Sequence, residues 1–578
     1  MTQKPEFSKV LSFKEQVSRS NIWGHHFVFL NTIFAIIVGS AYLYAAPETE
    51  SFLSFVYLVF AWLGQMSFLG FLIYLILFFP LSFIGNFKLY RVLSVVFALL
   101  VHVLLLVDAK LFLAIKAHLS WGVLSLMIRD LDFNSGLNFR FLYIAVPVII
   151  GLEYLFTRLS TREIYRKQAR HNYFPAVLMG IVGICFVTSH SLHIWADATG
   201  YEKITVLRSV LPAHYPMTAK SFLSNHGLIE ESGSNISDYF AVNYPLEAIE
   251  SDPHESPKNV ITIMLNGLSY SDIDPYTTKN LFALQNEYTS YENHYLPYQD
   301  ADDNIFAAAY GLPAMYKQSL LSKRIIPVNI GEMQHQEYQL RVFTSLNKKV
   351  LSQAIAPLAG AHKSSLSYLP SDKELFDNAM AFIEKERAGQ HYLVSISTSS
   401  LIETQENSGD LKAALKAEDE MLGQFMDKLK EKDLLKNTLV LITSSQGNLN
   451  REEQETTYSM AKGHVPLIVL WPRNTLRGVK FTTVSSHFDI ASTVGEEILG
   501  IKTPSSKYSI GNSLLKLADR DYFVTNMGAS LLLISNNAVT VYRKNGRAYI
   551  EQDGEKTVIH PNLETLIQAM SELNRFKG

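Results

Sequence analysis

The chain has 578 residues, a formal net charge of -3 and a sequence pI near 6.6, and 48% of its residues are hydrophobic. It is long enough for more than one domain, and its charge gives no reason to expect a nucleic-acid partner. Its single cysteine, Cys185, excludes an intramolecular disulfide, which counts against secreted enzymes that depend on disulfides.

Long apolar runs with few charges fill the chain up to residue 197. Five of them approach or exceed the length of about 20 residues that crosses a bilayer, at 27–46, 52–79, 92–113, 141–156 and 173–195. The fourth is the weakest because Pro147 interrupts it and Glu153 is charged. The first run lacks a small-residue cleavage site, so the sequence predicts a membrane span there and not a cleaved signal.

The Lys and Arg content of the loops predicts the orientation of these spans. The N-terminal tail is basic, the loop near residue 48 has no Lys or Arg, and the loop 158–170 is strongly basic. This alternation predicts a multi-pass protein of the bacterial inner membrane. Its N-terminus is expected in the cytoplasm, and everything after residue 197 in the periplasm.

The rest of the chain divides into a connector, 198–257, and a soluble domain, 258–578. Strand-length apolar runs at 260–265, 392–396, 439–442 and 467–470 are separated by helical segments. That alternation predicts an α/β/α domain with a mostly parallel sheet. The stretch 522–559 has Asn-Asn, Asn-Gly and Asp-Gly turn signals and predicts antiparallel hairpins.

The connector carries the most promising binding residues, because it follows the fifth span and mixes cations with apolar groups. Pro216 suits the first turn of a helix. Such a segment would lie in the membrane interface with its cations at headgroup height. The predicted lipid-binding residues are Arg208, His214, Tyr215, Met217, Thr218, Ala219, Lys220 and Phe222. A plain amphipathic anchor that selects no lipid remains the alternative.

The notable polar residues inside the apolar runs are His102, Asp108 and Glu153. Ionisable groups within a membrane are functional hypotheses by default. The alternative is that Asp108 and Glu153, near the ends of their spans, simply reach water.

Several motifs carry a family resemblance. The strings ITIMLNGLS (261–269), NTLVLITSSQG (437–447) and KGHVPLIVLWP (462–472) resemble the sulfatase and alkaline phosphatase superfamily. The strings WGHHFVFLN (23–31), HIWADATGY (193–201) and YPMTAKSFLSNHGL (215–228) resemble the YejM/PbgA family of inner-membrane proteins. This resemblance implies five membrane spans, a connector and a periplasmic sulfatase-like domain.

The positions that carry catalysis in the superfamily depart from its pattern. Its hydrolases use a Thr, Ser or modified Cys nucleophile beside metals held by Asp and His. The resemblance places Asn266 at a ligand carboxylate, Ala301 at the nucleophile, and Ser445 and Gln446 at the Asp-His pair. His464 is retained. These replacements predict a pseudo-hydrolase without a metal or other cofactor.

Two local alternatives accompany that prediction. His464 is expected to be structural, although metal binding is the other possibility, and His487 is a second histidine of the same kind. The acidic loop with Asp300, Asp302 and Asp303 either is solvated or holds Mg²⁺ or Ca²⁺.

The resemblance implies a non-enzymatic sensor of lipopolysaccharide, through its lipid A part or another anionic lipid. Such a sensor restrains the adaptor LapB and thereby the proteolysis of LpxC by FtsH. This chain has Lys220-Ser221 where many members have two basic residues, which implies a different phosphate contact. The alternatives are a membrane-anchored metal-dependent hydrolase or phosphoethanolamine transferase, and a passive envelope scaffold.

Overall fold

A computed structural model describes residues 12–129, 139–166, 174–199, 201–216, 241–253, 258–346, 356–359, 365–386, 391–450, 457–517, 520–543, 545–560 and 562–578. The chain forms two compact units, Met1–Ala241 with Lys577–Gly578, and Val242–Phe576. The division between them falls inside the predicted connector.

The first unit is built from helices. They are α1 Phe13–Ala45, α2 Phe52–Ile73, α3 Phe79–Leu81, α4 Phe87–Ile115, α5 Trp121–Arg129, α6 Leu142–Arg166, α7 Phe174–Thr199 and α8 Glu202–Thr205. Among the described residues, four helical stretches are long and apolar enough to cross a membrane: Phe13–Ala45, Phe52–Ile84, Phe87–Ile115 and Phe139–Arg162. The 26-residue helix α7 lies where the fifth span was predicted. The predicted membrane domain is therefore confirmed as a set of apolar N-terminal helices, with four to five of them where five spans were predicted.

Local sequence explains where these helices begin and what interrupts them. The Ser12 hydroxyl accepts from the Glu15 backbone N–H, and the Glu15 carboxylate accepts from the Ser12 backbone N–H, which forms a capping box at the start of α1. Pro147 lies in the second turn of α6, and the helix continues past it for five further turns. Helix α1 packs against α2, α4 and α6, and α2 packs against α7.

The second unit contains an eight-stranded sheet in the order β5-β4-β6-β1-β7-β8-β2-β9. Its strands are β1 Asn259–Met264, β2 Thr289–Tyr291, β4 Gln339–Thr344, β5 Leu366–Tyr368, β6 Tyr392–Ser397, β7 Thr438–Thr443, β8 Ile468–Leu470 and β9 Lys480–Phe481. Two further strands, β3 His294–Tyr295 and β10 Ser485–Ser486, pair with each other in a separate two-stranded sheet. Strand β1 runs parallel to β6 and β7, whereas β8 runs antiparallel to β7. The predicted mostly parallel sheet is confirmed.

Helices surround this sheet. They are α9 Lys279–Glu287, α10 Ala301–Tyr310, α11 Lys317–Ser322, α12 Val328–His335, α13 Asp372–Glu386, α14 Ser400–Glu406, α15 Leu411–Glu431, α16 Met460–Gly463, α17 Phe488–Thr493 and α18 Leu563–Leu573. Helix α15 buries Leu422, Phe425 and Leu429 in the core with Ile263 and Val440 of the central strands. Burial of such side chains is the main force that holds a helix onto a sheet.

The predicted hairpins form a separate antiparallel sheet of five strands. They follow one another in chain order as β11 Tyr522–Met527, β12 Ser530–Ser535, β13 Ala538–Tyr542, β14 Ala548–Gln552 and β15 Glu555–Ile559. The turn at Asn537 has a left-handed backbone with φ of 64°, a conformation that Asn tolerates better than most residues. The turn signals therefore predicted this sheet correctly.

Candidate functional site

The residues predicted for a lost catalytic site lie together where β1 and β7 end. The loop after β1 reaches each of the others in turn. Asn266 contacts Ser445, the Gly267 N–H donates to the Gln446 carbonyl at 2.7 Å, and the Tyr270 N–H donates to the His464 carbonyl at 2.9 Å. We call this group, with Ala301, the strand-end site.

Asn266 is fully buried at the centre of the strand-end site and its amide is fully engaged. Its Nδ2 donates to the Ser397 Oγ and to the Thr398 carbonyl, both at 2.9 Å. Its Oδ1 accepts from the Ser445 backbone N–H at 2.9 Å and from the Ser445 hydroxyl at 2.6 Å. Buried polar groups need such partners. Because these atoms bond to one another, they are not arranged to hold a zinc-type ion, which prefers thiolate, imidazole and carboxylate.

Ala301 occupies the first position of α10 and is buried. Asp300 caps this helix by accepting from the backbone N–H groups of Asp302 and Asp303. Three residues after Ala301, Asn304 donates from Nδ2 to the Ser445 carbonyl at 2.9 Å. The helix predicted to carry the nucleophile is thus fixed to the strand-end site by an amide, which sequence reasoning missed because no motif marks it.

The acidic loop with Asp302 and Asp303 is already paired with a lysine of the same chain, Lys317. Lys317 Nζ lies 2.9 Å from the Asp302 carboxylate and also pairs with Asp303. This ion pair neutralises much of the negative charge that would attract Mg²⁺ or Ca²⁺ to the loop. Among the described residues, no three His, Cys, Asp or Glu side chains come together as a metal-ligand group.

His464 is held by a backbone hydrogen bond and by stacking on two aromatic rings. Its Nε2 lies 2.7 Å from the Glu292 carbonyl, so this nitrogen carries the proton and donates. Its ring stacks on Tyr270 at a centroid distance of 4.4 Å and on Tyr295 at 4.8 Å. Burial lowers the pKa of His464 below its ordinary value. The imidazole is therefore a neutral packing group between two aromatic rings.

A contact between two buried histidines, His294 and His487, was not predicted from the sequence. His294 on β3 faces His487, with 3.0 Å between His294 Nε2 and His487 Nδ1, and its Nδ1 lies 2.9 Å from the Ser485 hydroxyl. Both side chains are buried. Burial lowers the pKa of His294 well below its ordinary value and that of His487 to about 3. Two such rings are both neutral at pH 7.

The described start of the connector, 201–216, packs against one end of the helices of the first unit. Ile204, Leu207, Val210 and Leu211 are buried among apolar residues of α1, α2, α4 and α7. We call this region the connector end; it lies where α1, α4 and α7 finish and α2 begins. The apolar side of this segment is therefore covered by protein.

Polar side chains of the helices hold the backbone of the connector. Gln65 Nε2 donates to the carbonyls of Pro212 at 3.1 Å and Ala213 at 3.0 Å. His118 Nε2 lies 3.0 Å from the Ser209 carbonyl, and its Nδ1 lies 2.8 Å from the Asp108 carboxylate. These contacts connect the connector to α2 and, through Asp108, to α4.

His214 differs from the exposed cation that was predicted. It is 7% exposed, its Nδ1 lies 3.3 Å from Gln65 Oε1, and its Nε2 lies 3.3 Å from the Tyr57 hydroxyl. Burial, together with the nearby His190, His193 and Arg208, lowers the pKa of His214 to about 3. His214 is therefore neutral, and it anchors the connector instead of meeting an anionic headgroup.

The remaining predicted binding residues fall into two groups. Arg208 is partly exposed on the connector, and Tyr215 is 86% exposed. Met217, Thr218, Ala219, Lys220 and Phe222 lie outside the described residues. Their role in binding lipid stays a prediction.

The intramembrane acids do not reach water, so that alternative was wrong. Asp108 is 6% exposed and accepts from the Tyr42 hydroxyl at 2.6 Å in addition to its contact with His118. Glu153 is fully buried, and its Oε1 lies 3.2 Å from His102 Nδ1, which also lies 2.9 Å from the Ala98 carbonyl. Each acid thus lies beside a histidine of the first unit.

The sequence is similar to known families over nearly all of its length. Residues 10–250 match a domain of unknown function, DUF3413, and residues 409–499 match the Sulfatase family. The chain is 29% identical to the inner membrane protein YejM of Salmonella typhimurium, with 98% of each chain covered. It is 28% identical to an uncharacterized protein of Haemophilus influenzae, with 98% of this chain and 97% of that protein covered.

Solved structures resemble the second unit at low sequence identity. An alkaline phosphatase superfamily protein from Vibrio parahaemolyticus is 12% identical, with a TM-score of 0.47, and the match covers 59% of this chain and 92% of that one. The lipoteichoic acid synthase LtaP from Listeria monocytogenes is 16% identical, with a TM-score of 0.42, and the match covers 57% and 94%.

Proposed function

We propose, from the premise that the chain belongs to the family of the inner membrane protein YejM, that it is a non-enzymatic sensor of lipid A. In this proposal the connector binds the lipid, and the membrane helices change their affinity for a partner when lipid is bound. The connector end carries the proposal, because its contacts join the predicted binding segment to the helices.

The connector end gives a physical route from a lipid to the spans. Lipid phosphates attract Arg and Lys near the membrane surface, and Arg208 and Lys220 supply such charges. A lipid that holds this segment also acts on Gln65 and His118, because both contact the connector backbone. Binding of lipid and binding of a partner to the spans are then coupled, and that coupling is reciprocal.

The strand-end site supports a role without catalysis. Ala301 has no nucleophilic atom, and Asn266 and Ser445 bond to each other where the superfamily places metal ligands. A covalent mechanism of the superfamily type needs both the nucleophile and the metals. We therefore assign the second unit a supporting role.

The partner proposed from the family resemblance is the LapB adaptor. In this scheme the protein restrains LapB when lipopolysaccharide is scarce, so that FtsH degrades less LpxC and lipid A synthesis continues. Bound lipid A weakens the restraint, and LpxC is degraded. The localisation that fits this scheme is the inner membrane, with the connector and second unit in the periplasm.

Mass spectrometry of lipid that co-purifies with the protein tests the proposal. We expect lipid A with the wild type and much less of it with Arg208→Ala or Lys220→Ala, because each change removes a phosphate-binding charge. Lys220→Arg keeps the charge and should retain the lipid. Lys436→Ala changes an exposed lysine of the second unit and serves as the matched control. Absence of lipid A, or retention unchanged in the connector variants, would favour a passive scaffold.

An activity assay separates the sensor from a hydrolase or phosphoethanolamine transferase. Purified protein is assayed for phosphatase and transferase turnover and for bound zinc. Turnover that His464→Ala abolishes would overturn the non-enzymatic assignment. We expect no turnover, and we expect His464→Ala only to disturb packing, because its ring stacks between Tyr270 and Tyr295.

A further inference from the structure

A cleft inside the first unit borders the contacts described above, because Asp108, His118, Pro212 and Ala213 are among its lining residues. It has a volume of about 300 Å³ and lies between α2 and α4, with α1 behind it. Most of its lining is apolar, for example Ala35 of α1, Met66 of α2 and Leu105 of α4. Pockets of about 300 to 1,000 Å³ are the usual size for bound small molecules. The cleft is therefore large enough for a ligand.

The two ends of the cleft differ. At one end it is lined by Pro212 and Ala213 of the connector. At the other end it is lined by Phe78, which is buried and packs against Phe27 with ring centroids 6.1 Å apart. The cleft thus starts at the connector end and stops at an aromatic wall.

The dimensions fit one lipid chain. Along α4 the lining runs from Ala98 to Asp108, and ten residues of helix rise about 15 Å. That length is half of the roughly 30 Å hydrocarbon core of a bilayer, which is the depth of one leaflet. A cleft of this length can receive one acyl chain along its axis.

The identity of the occupant follows from its headgroup. Lipid tails are as apolar as the cleft, so the hydrophobic effect does not favour the cleft over the bilayer. A chain is held there only if the rest of its lipid is held nearby. The connector residues Pro212 and Ala213 line the cleft, and most of the predicted lipid-binding residues follow them directly in the chain, so the lipid bound by the connector is the one whose chain can enter.

We propose that this cleft takes one acyl chain of the lipid A molecule whose headgroup the connector binds. The proposal rests on the proposed function and adds a site to it. A chain in the cleft fills the space between α2 and α4, so a headgroup bound at the connector end also fixes the separation of two spans. Because Phe78 closes the far end, the site favours chains of limited length.

Photo-crosslinking in membranes of a Gram-negative host tests the proposal. The photoreactive residue p-benzoylphenylalanine, which inserts into C–H bonds, replaces either Leu105 in the cleft or Leu100, which is on the same helix and 53% exposed. We expect ultraviolet light to join lipopolysaccharide to the protein modified at position 105, detected by immunoblot, and several-fold less lipopolysaccharide at position 100.

A pair of filled variants gives a second measurement without a bulky probe. Val101→Phe fills the cleft, whereas Val96→Phe adds the same volume on a face of α4 where Val96 is 47% exposed. We expect Val101→Phe to retain several-fold less lipid A by mass spectrometry and Val96→Phe to retain the wild-type amount, with both proteins monodisperse in detergent.

The outcomes separate this inference from the proposed function. Equal lipopolysaccharide cross-linking at positions 105 and 100, or normal lipid A retention by Val101→Phe, would overturn the cleft assignment while the sensor proposal stands. A wild-type protein that retains no lipid A would overturn both.

Discussion

The strand-end site of the second unit and the connector end of the first unit are both built from polar side chains, but these side chains form hydrogen bonds with different partners. In the strand-end site, Asn266 and Ser445 bond to each other and to neighbouring strand ends. At the connector end, Gln65 and His118 bond to backbone carbonyls of a separate segment. The first arrangement closes on itself, and the second joins the connector to the membrane helices.

This difference indicates where a signal can arise. A closed set of hydrogen bonds stabilises one conformation. Its donors and acceptors already have partners, so a ligand gains no hydrogen bond by binding to them. Contacts between a segment and a set of helices make the position of one depend on the other, which is the requirement for coupling between sites. In the function proposed above, the second unit serves as a support, and the regulated contacts lie at the connector end.

Restoring the carboxylate in the strand-end site should produce the largest effect. In Asn266→Asp an oxygen replaces the Nδ2 that donates to the Thr398 carbonyl, so a buried charge faces an acceptor. An uncompensated buried charge costs about 3–5 kcal/mol. We expect a clearly lower thermal unfolding midpoint of the second unit and no gain of hydrolase activity.

Asn286→Asp is the control for this change, because Asn286 is exposed and bonds only to the Phe282 carbonyl within its own helix. It should leave the unfolding midpoint near that of the wild type. An Asn266→Asp protein that is as stable as the wild type would show that the strand-end site is open to solvent or ions. The strand-end site would then not be a closed set of hydrogen bonds that differs from the connector end.

Acid should weaken both units, because each contains a buried neutral histidine. The pKa values of His487 and His214 are about 3, below the ordinary value of 6.5. The unfolded chain therefore binds protons that the native protein does not. This contribution to stability is fully present above pH 6.5 and is lost as the pH falls toward 3. At pH 5 each group accounts for about 2 kcal/mol.

Thermal unfolding at pH 7.5 and pH 5 measures this loss, and variants assign it. His487→Asn should reduce the acid sensitivity of the second unit, and His214→Asn that of the first. His335→Asn should change neither, because its side chain is 81% exposed. Equal acid sensitivity in all three variants would contradict the assignment.

Much of the fold was predictable because its signals are local. The apolar run 439–442 corresponds to β7, and the Asn-Gly and Asp-Gly turns mark the hairpins of the last sheet. The neutral state of His214 was not predictable, because it depends on burial against Tyr57 and Gln65, about 150 positions earlier. The contact between His294 and His487 was not predictable for the same reason, since 193 positions separate them.

The smallest effect should come from one hydroxyl at the connector end. Tyr57→Phe removes the contact with His214 Nε2 at 3.3 Å but leaves His214 Nδ1 beside Gln65. Loss of one such hydrogen bond costs about 0.5–1.5 kcal/mol. We expect a slightly lower unfolding midpoint of the first unit in nanodiscs and a modest decrease in retained lipid A. Tyr44→Phe, at a tyrosine that is 87% exposed, should change neither. If both variants behave alike, the connector is not held through the contact between Tyr57 and His214, and the coupling passes through the contacts of Gln65 and His118 with the connector backbone.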